Sequence, residues 1–335
     1  MGKTVLITAI GSFAAEAVIT SCRSQGFRVV GCDIYPAEWV VNSREVDAFY
    51  QAPCAADRAA WRTFLTEVCR REQADLVMPL IDGEVDALLD WPEAAGELGA
   101  LVCMCSRDTG LVCRNKARLG QFLEQKKVCR VIPGRLLSEV LKDGAGRNYP
   151  LVLKPIDGRS SQGLRMVDNA REFSQAARML EDLADRYLVQ EKIPGMVVTV
   201  DVVRQPDTGA CVCLPRRELL RTPNGAGTTV QVFRNTELEA RCQAVAGALD
   251  IRGCVNFEFI EHGCTGEWYF LECNPRFSGG LPFSVLAGYD MVKNHVNCFT
   301  NRDLEPLEVT GSHCFARRYM EYRMDGTVTY AGGNP

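Results

Sequence analysis

Short apolar runs alternate with amphipathic stretches through the first hundred residues. Residues 4–9 form a β-rich apolar run. Gly11 follows, and Ala14 to Ile19 has helical character. Gly26 then leads into a second apolar run from Phe27 to Cys32, closed by Asp33. Strand, helix and strand in this order make a βαβ start. The rhythm continues with a helix over 57–72, a strand from Asp75 to Leu80, a helix over 84–90 and a strand over 100–105, so the unit is expected to end near residue 108.

From residue 109 the pattern changes. Asn115-Lys116 opens a helix that runs to about Lys126, and the strand Leu151-Val152-Leu153-Lys154-Pro155 ends beside a lysine. The small-residue loop Ile156 to Leu164 follows, and a strand resumes at 165–167. A strand, a flexible loop and a strand make a hairpin able to fold over phosphates. Small residues such as Ser160, Ser161 and Gly163 expose backbone N–H groups, while Lys154 supplies a mobile positive charge. The lysine precedes the loop on a strand, unlike a P-loop, where it follows on a helix. A helix over about 171–185 leads to the strand Tyr187 to Ile193, whose Gln190-Glu191 pair can meet an adenine and ribose or belong to an ordinary edge strand.

The most informative alternation comes late. Cys254 to Ile260 and Trp268 to Cys273 alternate around a turn containing Gly263 and Gly266, which predicts an antiparallel hairpin. If even positions pair with even positions, Glu258 and Glu272 share a face with Asn274 two residues on. Two carboxylates and an amide oxygen suit hard Mg²⁺. Two acids on one strand face among apolar neighbours are costly without a cation.

Composition narrows the classes. Of 335 residues 47% are hydrophobic and 24% charged, an ordinary globular balance, and the formal net charge of -4 carries no footprint for nucleic acid or an anionic membrane surface. No apolar run reaches the length of a membrane span, and Met1 to Ile7 leads directly into a strand, so a cytoplasmic protein is expected. The sixteen cysteines are scattered, without a CxxC pair, which suits small buried hydrophobes. A dinucleotide site in the first unit would need three glycines; only Gly11 stands there, followed by Ser12-Phe13-Ala14. Asp82-Gly83-Glu84, at a strand's carboxyl end, can hold a substrate amine or place Asp82 as a helix cap. His262, His295 and His313 have no mutual spacing that suggests a role.

Phe270-Leu271-Glu272-Cys273-Asn274-Pro275-Arg276-Phe277-Ser278-Gly279-Gly280, with Glu258 upstream, resembles the terminal metal motif of the ATP-grasp superfamily, and within it the carbamoyl phosphate synthase-like carboxylate–amine ligases. The resemblance spans nearly the whole chain. It implies an α/β (α+β ATP-grasp) fold: a Rossmann-like pre-ATP-grasp domain over 1–108, a lid subdomain with its linker helix over 109–193, and a C-terminal subdomain with the metal site over 194–335. It also implies ATP contacts at Lys116, Lys154, the lid loop over 157–163, Gln190, Glu191 and Ile193. Mg²⁺, for which Mn²⁺ can substitute, would sit on Glu258, Glu272 and Asn274, with Arg276 steadying the transferred phosphoryl group. Where many relatives carry a ribose-binding Glu after Pro194-Gly195, this chain has Met196-Val197-Val198, which passes ribose contact to Glu191 or another group. Glu258 stands where close relatives often use Gln.

The expected reaction is attack of a carboxylate on the γ-phosphate of ATP, giving ADP and an acyl phosphate from which an amine, or a thiol, displaces phosphate. Arg216, Arg217 and Arg221 are candidates for gripping the substrate carboxylate, with structural ion pairs as their other use. Other readings are a carbamoyl-phosphate-synthase-like subunit, a small-molecule kinase of the same fold, a nicotinamide enzyme at Gly11, and a non-catalytic nucleotide-binding protein. Resemblance also suggests a homodimer.

Overall fold

The structure, a computed structural model, describes residues 3–143, 148–158, 162–223 and 225–324; Ser160 and Ser161 of the lid loop lie outside them. The chain forms two compact units, Met1–Cys103 with Arg318–Pro335, and Met104–Arg317. The sequence placed a boundary at 108 and kept the final segment with the metal hairpin. No helix among the described residues is long and apolar enough to cross a membrane.

In the first unit, β1 (Thr4–Ile7), β2 (Arg28–Asp33), β3 (Ala48–Gln51), β4 (Leu76–Met78) and β5 (Leu101–Val102) form a parallel sheet in the order β3-β2-β1-β4-β5. Every residue of β1 and β4 is buried, as expected of parallel strands covered on both faces, and this is why they read as continuous apolar runs. Strand order reverses beside β1, and the loops leaving β1 and β4 there carry Gly11 and Asp82-Gly83-Glu84. Gly11 donates its N–H to Asp33 Oδ2 at 2.8 Å, so the acid closing β2 braces the turn after β1. Asp82 does not cap the following helix, Asp82–Leu89: it occupies the first helical position, and the cap residue is Ile81, with no side-chain cap bond.

The second unit holds two antiparallel sheets. The smaller contains β6 (Gly134–Leu136), β7 (Leu151–Pro155), β8 (Arg165–Val167) and β9 (Tyr187–Glu191), in the order β6-β9-β7-β8. The larger contains β10 (Gly195–Arg204), β11 (Cys211–Arg221), β12 (Gly227–Phe233), β13 (Gly253–His262), β14 (Trp268–Asn274) and β15 (Ser312–Ala316), in the order β14-β13-β10-β11-β12-β15. The helix expected over 171–185 is shorter, Ala170–Met179, and continues as a 3₁₀ turn because Leu180 turns into the core of the small sheet.

Alternation along the larger sheet separates core from site. Val198, Val200, Val202, Phe257 and Phe259 pack against the helix Thr236–Ala248 and against Leu119 and Leu123 of the helix Lys116–Lys126. Between them in sequence, Thr199, Asp201 and Glu258 point to the opposite face.

Candidate functional site

The acid hairpin is β13 paired with β14. Glu258 lies opposite Glu272 and Asn256 opposite Asn274, so even positions do join even positions here. A bulge after Glu258 shifts the register, and beyond it Phe259 faces Phe270. One residue of slip thus lets both acids share one face while Phe257, Phe259 and Phe270 pack edge to face in the core, with centroids 5.2 and 5.5 Å apart. Asn274 donates its amide to Glu272 Oε1 at 3.2 Å.

Two lysines converge on this pair. Lys116 opens its helix behind the Asn115 cap, and its Nζ lies 3.2 Å from Glu272 Oε2 and donates to Gly158 O at 2.7 Å. It therefore ties the acid hairpin to the small sheet's phosphate-type loop. Lys154, at the end of β7, is buried, and burial pushes its pKa down to about 8; Glu272 and Glu258 pull the other way and Lys116 adds to the fall. Burial and then Glu272 push Glu258 up to about 7. Burial also works against the charge on Glu272, but Lys116 and Lys154 outweigh it and hold the group below the usual carboxylate range.

Arg276 donates from Nη1 to Phe277 O at 3.0 Å and from Nη2 to Asn274 Oδ1 at 3.4 Å, which places its guanidinium beside the amide of the acid set. Arg221 Nη2 lies 3.7 Å from Glu258 Oε2. The other two candidate arginines are committed elsewhere. Arg216, 1% exposed, donates to Asp201 Oδ2 at 2.7 Å, Ser278 Oγ at 2.9 Å and Glu218 Oε1 at 3.3 Å, a network buried away from solvent. Arg217 is on the opposite face of β11, where it makes a bidentate pair with Glu261 at 2.6 and 2.9 Å and covers the Phe233 ring. The buried partners Thr199, Asp201, Glu218 and Ser278 were not singled out from the sequence. The available signal was Thr199 and Asp201 alternating with buried valines in β10.

Between the sheets of this unit is a narrow cleft lined by Lys116, Leu119, Gly120, Val131, Ile132, Lys154, Leu188, Gln190, Phe270 and Leu271. Apolar side chains and the two lysines line it together, a mixture that suits a ligand with an apolar part and an anionic part. Gln190 donates to Ile132 O at 2.6 Å, Glu191 is exposed, and Ile193 is half-buried without lining the cleft. Tyr187 Oη donates to Gly163 O at 3.3 Å, anchoring the far side of the loop.

The donor set fits a hard divalent cation. Two facing carboxylates, one of them raised to about 7 by burial and by the other acid, gain from a cation between them, and the amide oxygen of Asn274 adds a neutral hard ligand.

A small sheet ending in a buried lysine is joined through Lys116 to an acid hairpin on a larger antiparallel sheet. The family model described as ATP-grasp in the biosynthetic pathway with Ter operon matches residues 184–317. Over that stretch the chain is similar to ATP-grasp proteins. It is 23% identical over 301 residues to the arginine-specific carbamoyl phosphate synthase large chain of Lactiplantibacillus plantarum, which covers 84% of this chain but only 29% of the synthase. It is 26% identical to a formate-dependent phosphoribosylglycinamide formyltransferase of Synechococcus sp., over 98% of this chain and 84% of that one. Among solved structures, the biotin carboxylase–βγ-ATP complex from Campylobacter jejuni has a TM-score of 0.77 at 16% identity, covering 94% of this chain and 75% of that chain.

Proposed function

We propose that the chain is an ATP-dependent carboxylate–amine ligase that passes through an acyl phosphate. The observation that carries this reading is the register pair Glu258–Glu272 with Lys116 and Lys154 directed at it. The γ-phosphoryl group of ATP would lie where these charges meet, and a substrate carboxylate oxygen would attack its phosphorus as ADP leaves. An amine nitrogen then attacks the acyl carbon and phosphate departs, leaving an amide.

Glu258, Glu272 and Asn274 would hold Mg²⁺, which when bound offsets charge on the phosphate oxygens. Lys154, protonated at neutral pH with a value near 8, binds phosphate oxygens in a site that excludes water. Lys116, which pairs with Glu272 and Gly158 O, would supply positive charge to the phosphates. Arg276 stands beside Asn274 to take the transferring group, and Arg221, which pairs with Glu258 and donates Nε to Gly225 O, would turn its remaining donors to the carboxylate. Ile132, Leu188 and Leu271 orient the base. Residues 1–108, 109–193 and 194–335 would act as the preceding domain, the lid and the metal-bearing subdomain.

The relatives' printed activities support a ligase, and the complex with an ATP analogue supports the nucleotide. The experiment that separates a ligase from a kinase of the same fold offers amino acids singly and in pairs with Mg–ATP. A ligase releases ADP only when an acceptor amine accompanies the carboxylate, or slowly without one. ADP release that is fast and indifferent to every amine contradicts the reading.

A further inference from the structure

On the face of the larger sheet that carries the acid hairpin, Glu218 sits on β11 two residues beyond Arg216. Thr199 Oγ1 donates to its Oε1, and so does Arg216 Nε at 3.3 Å, which fixes the carboxylate's orientation. Its Oε2 is buried and has no hydrogen-bond partner among the described residues, with the whole residue 8% exposed. The surroundings do not make up the deficit. Asp201 takes the other side of Arg216 and is itself satisfied by Ser278, Ser284 and Asn256. Two buried carboxylates therefore share one guanidinium, a formal charge of one negative left over where charge is expensive.

The sequence makes room for this oxygen. At Gly227 on β12 a Cβ would overlap Glu218 Oε2, so glycine is the residue that lets the carboxylate stand there. Glu218 is also close to the reacting charges: it adds to the rise of Glu258, behind burial, Glu272 and the opposing Arg221.

We propose that Glu218 Oε2 receives an N–H of the acceptor amine and so selects that substrate. This rests on the ligase reading above. An anionic group would be repelled there, whereas an amine both satisfies the oxygen and offsets its charge. Arg221 and Arg276 serve the anionic donor, which separates the two substrates by charge across one sheet face.

The test uses the full chain with Mg–ATP and two acceptors: concentrated hydroxylamine, which traps an acyl phosphate as a hydroxamate without needing recognition, and the amino acid found to be the best acceptor at saturating donor. Glu218→Gln is expected to leave hydroxamate formation and the donor KM within about twofold and to raise the amine KM about tenfold or more, the scale of one hydrogen bond to a charged group. Glu218→Asp should recover part of the loss. Gly227→Ala, which displaces the carboxylate without removing its charge, should give the same selective rise and carries the test if Glu218→Gln does not fold. An amine KM that moves less than about twofold in both variants overturns the assignment, as does a rise in the Mg²⁺ requirement in its place. If the unaltered chain forms hydroxamate from no carboxylate, the ligase reading fails and the amine site with it. If it forms hydroxamate normally and only the KM split is absent, the Glu218 assignment alone fails.

Discussion

Single side chains in this protein are set by what stands next to them once water is removed. Glu84 illustrates this away from the acid hairpin. It sits in the first turn after β4, 5% exposed, where Thr8 Oγ1 donates to its Oε2 at 2.5 Å. Burial nevertheless raises it to about 7, the bond from Thr8 opposing and Asp33 adding. Because the folded value of this acid lies above its unfolded value of about 4.3, its contribution to stability is fully present below that pH and is lost as the pH rises through 7. Glu84→Gln, which can still accept from Thr8, should therefore be neutral near pH 4 and stabilising above pH 8, by up to about 4 kcal/mol at about 1.4 kcal/mol per pH unit. Denaturant midpoints of the two proteins across this range check it. A difference that does not grow with pH would contradict the burial account.

At the scale of elements, the larger sheet works because each strand divides its residues by period two. Val198, Val200 and Val202 build the core while Thr199 and Asp201 build the buried polar row. That row is closed by residues 278–284: a Cβ at Gly280 would come within 2.6 Å of the Arg216 guanidinium. Gly280→Ala is expected to push Arg216 off Asp201 and Ser278. Breaking a buried pair in this way costs about 3 kcal/mol or more. In a unit of this size that lowers the melting temperature by roughly 10 °C. A shift under about 2 °C would mean that the network relaxes freely. The acid hairpin was legible in the sequence because its strands alternate cleanly around a glycine turn, while the shared face of the two acids was conditional on an even-to-even register, which the strands adopt. The bulge after Glu258 was not, since nothing in Phe259-Ile260 marks a slip that only the packing of Phe270 requires. Nor were the roles of Arg216 and Arg217. Adjacent arginines on a strand point to opposite faces, and which one is buried depends on Asp201 and Glu261, partners on other strands.

At the scale of the molecule, the parallel α/β unit was readable because buried parallel strands give unbroken apolar runs, whereas the arrangement expected beyond residue 109 came from the resemblance. The return of residues from Arg318 to the first unit carried no such signal, being a matter of where an irregular segment docks. The central claim concerns the second unit: Glu272, held ionised by Lys116 and Lys154 opposite Glu258, is required for metal-dependent phosphoryl transfer. The most direct measurement is ADP release from Mg–ATP with the best donor and acceptor amino acids, for the unaltered chain and for Glu272→Ala. The account predicts loss of about a hundredfold or more in turnover, the scale of removing one preorganised electrostatic group, with the fold retained. Full ATP turnover by Glu272→Ala in Mg²⁺ would contradict it.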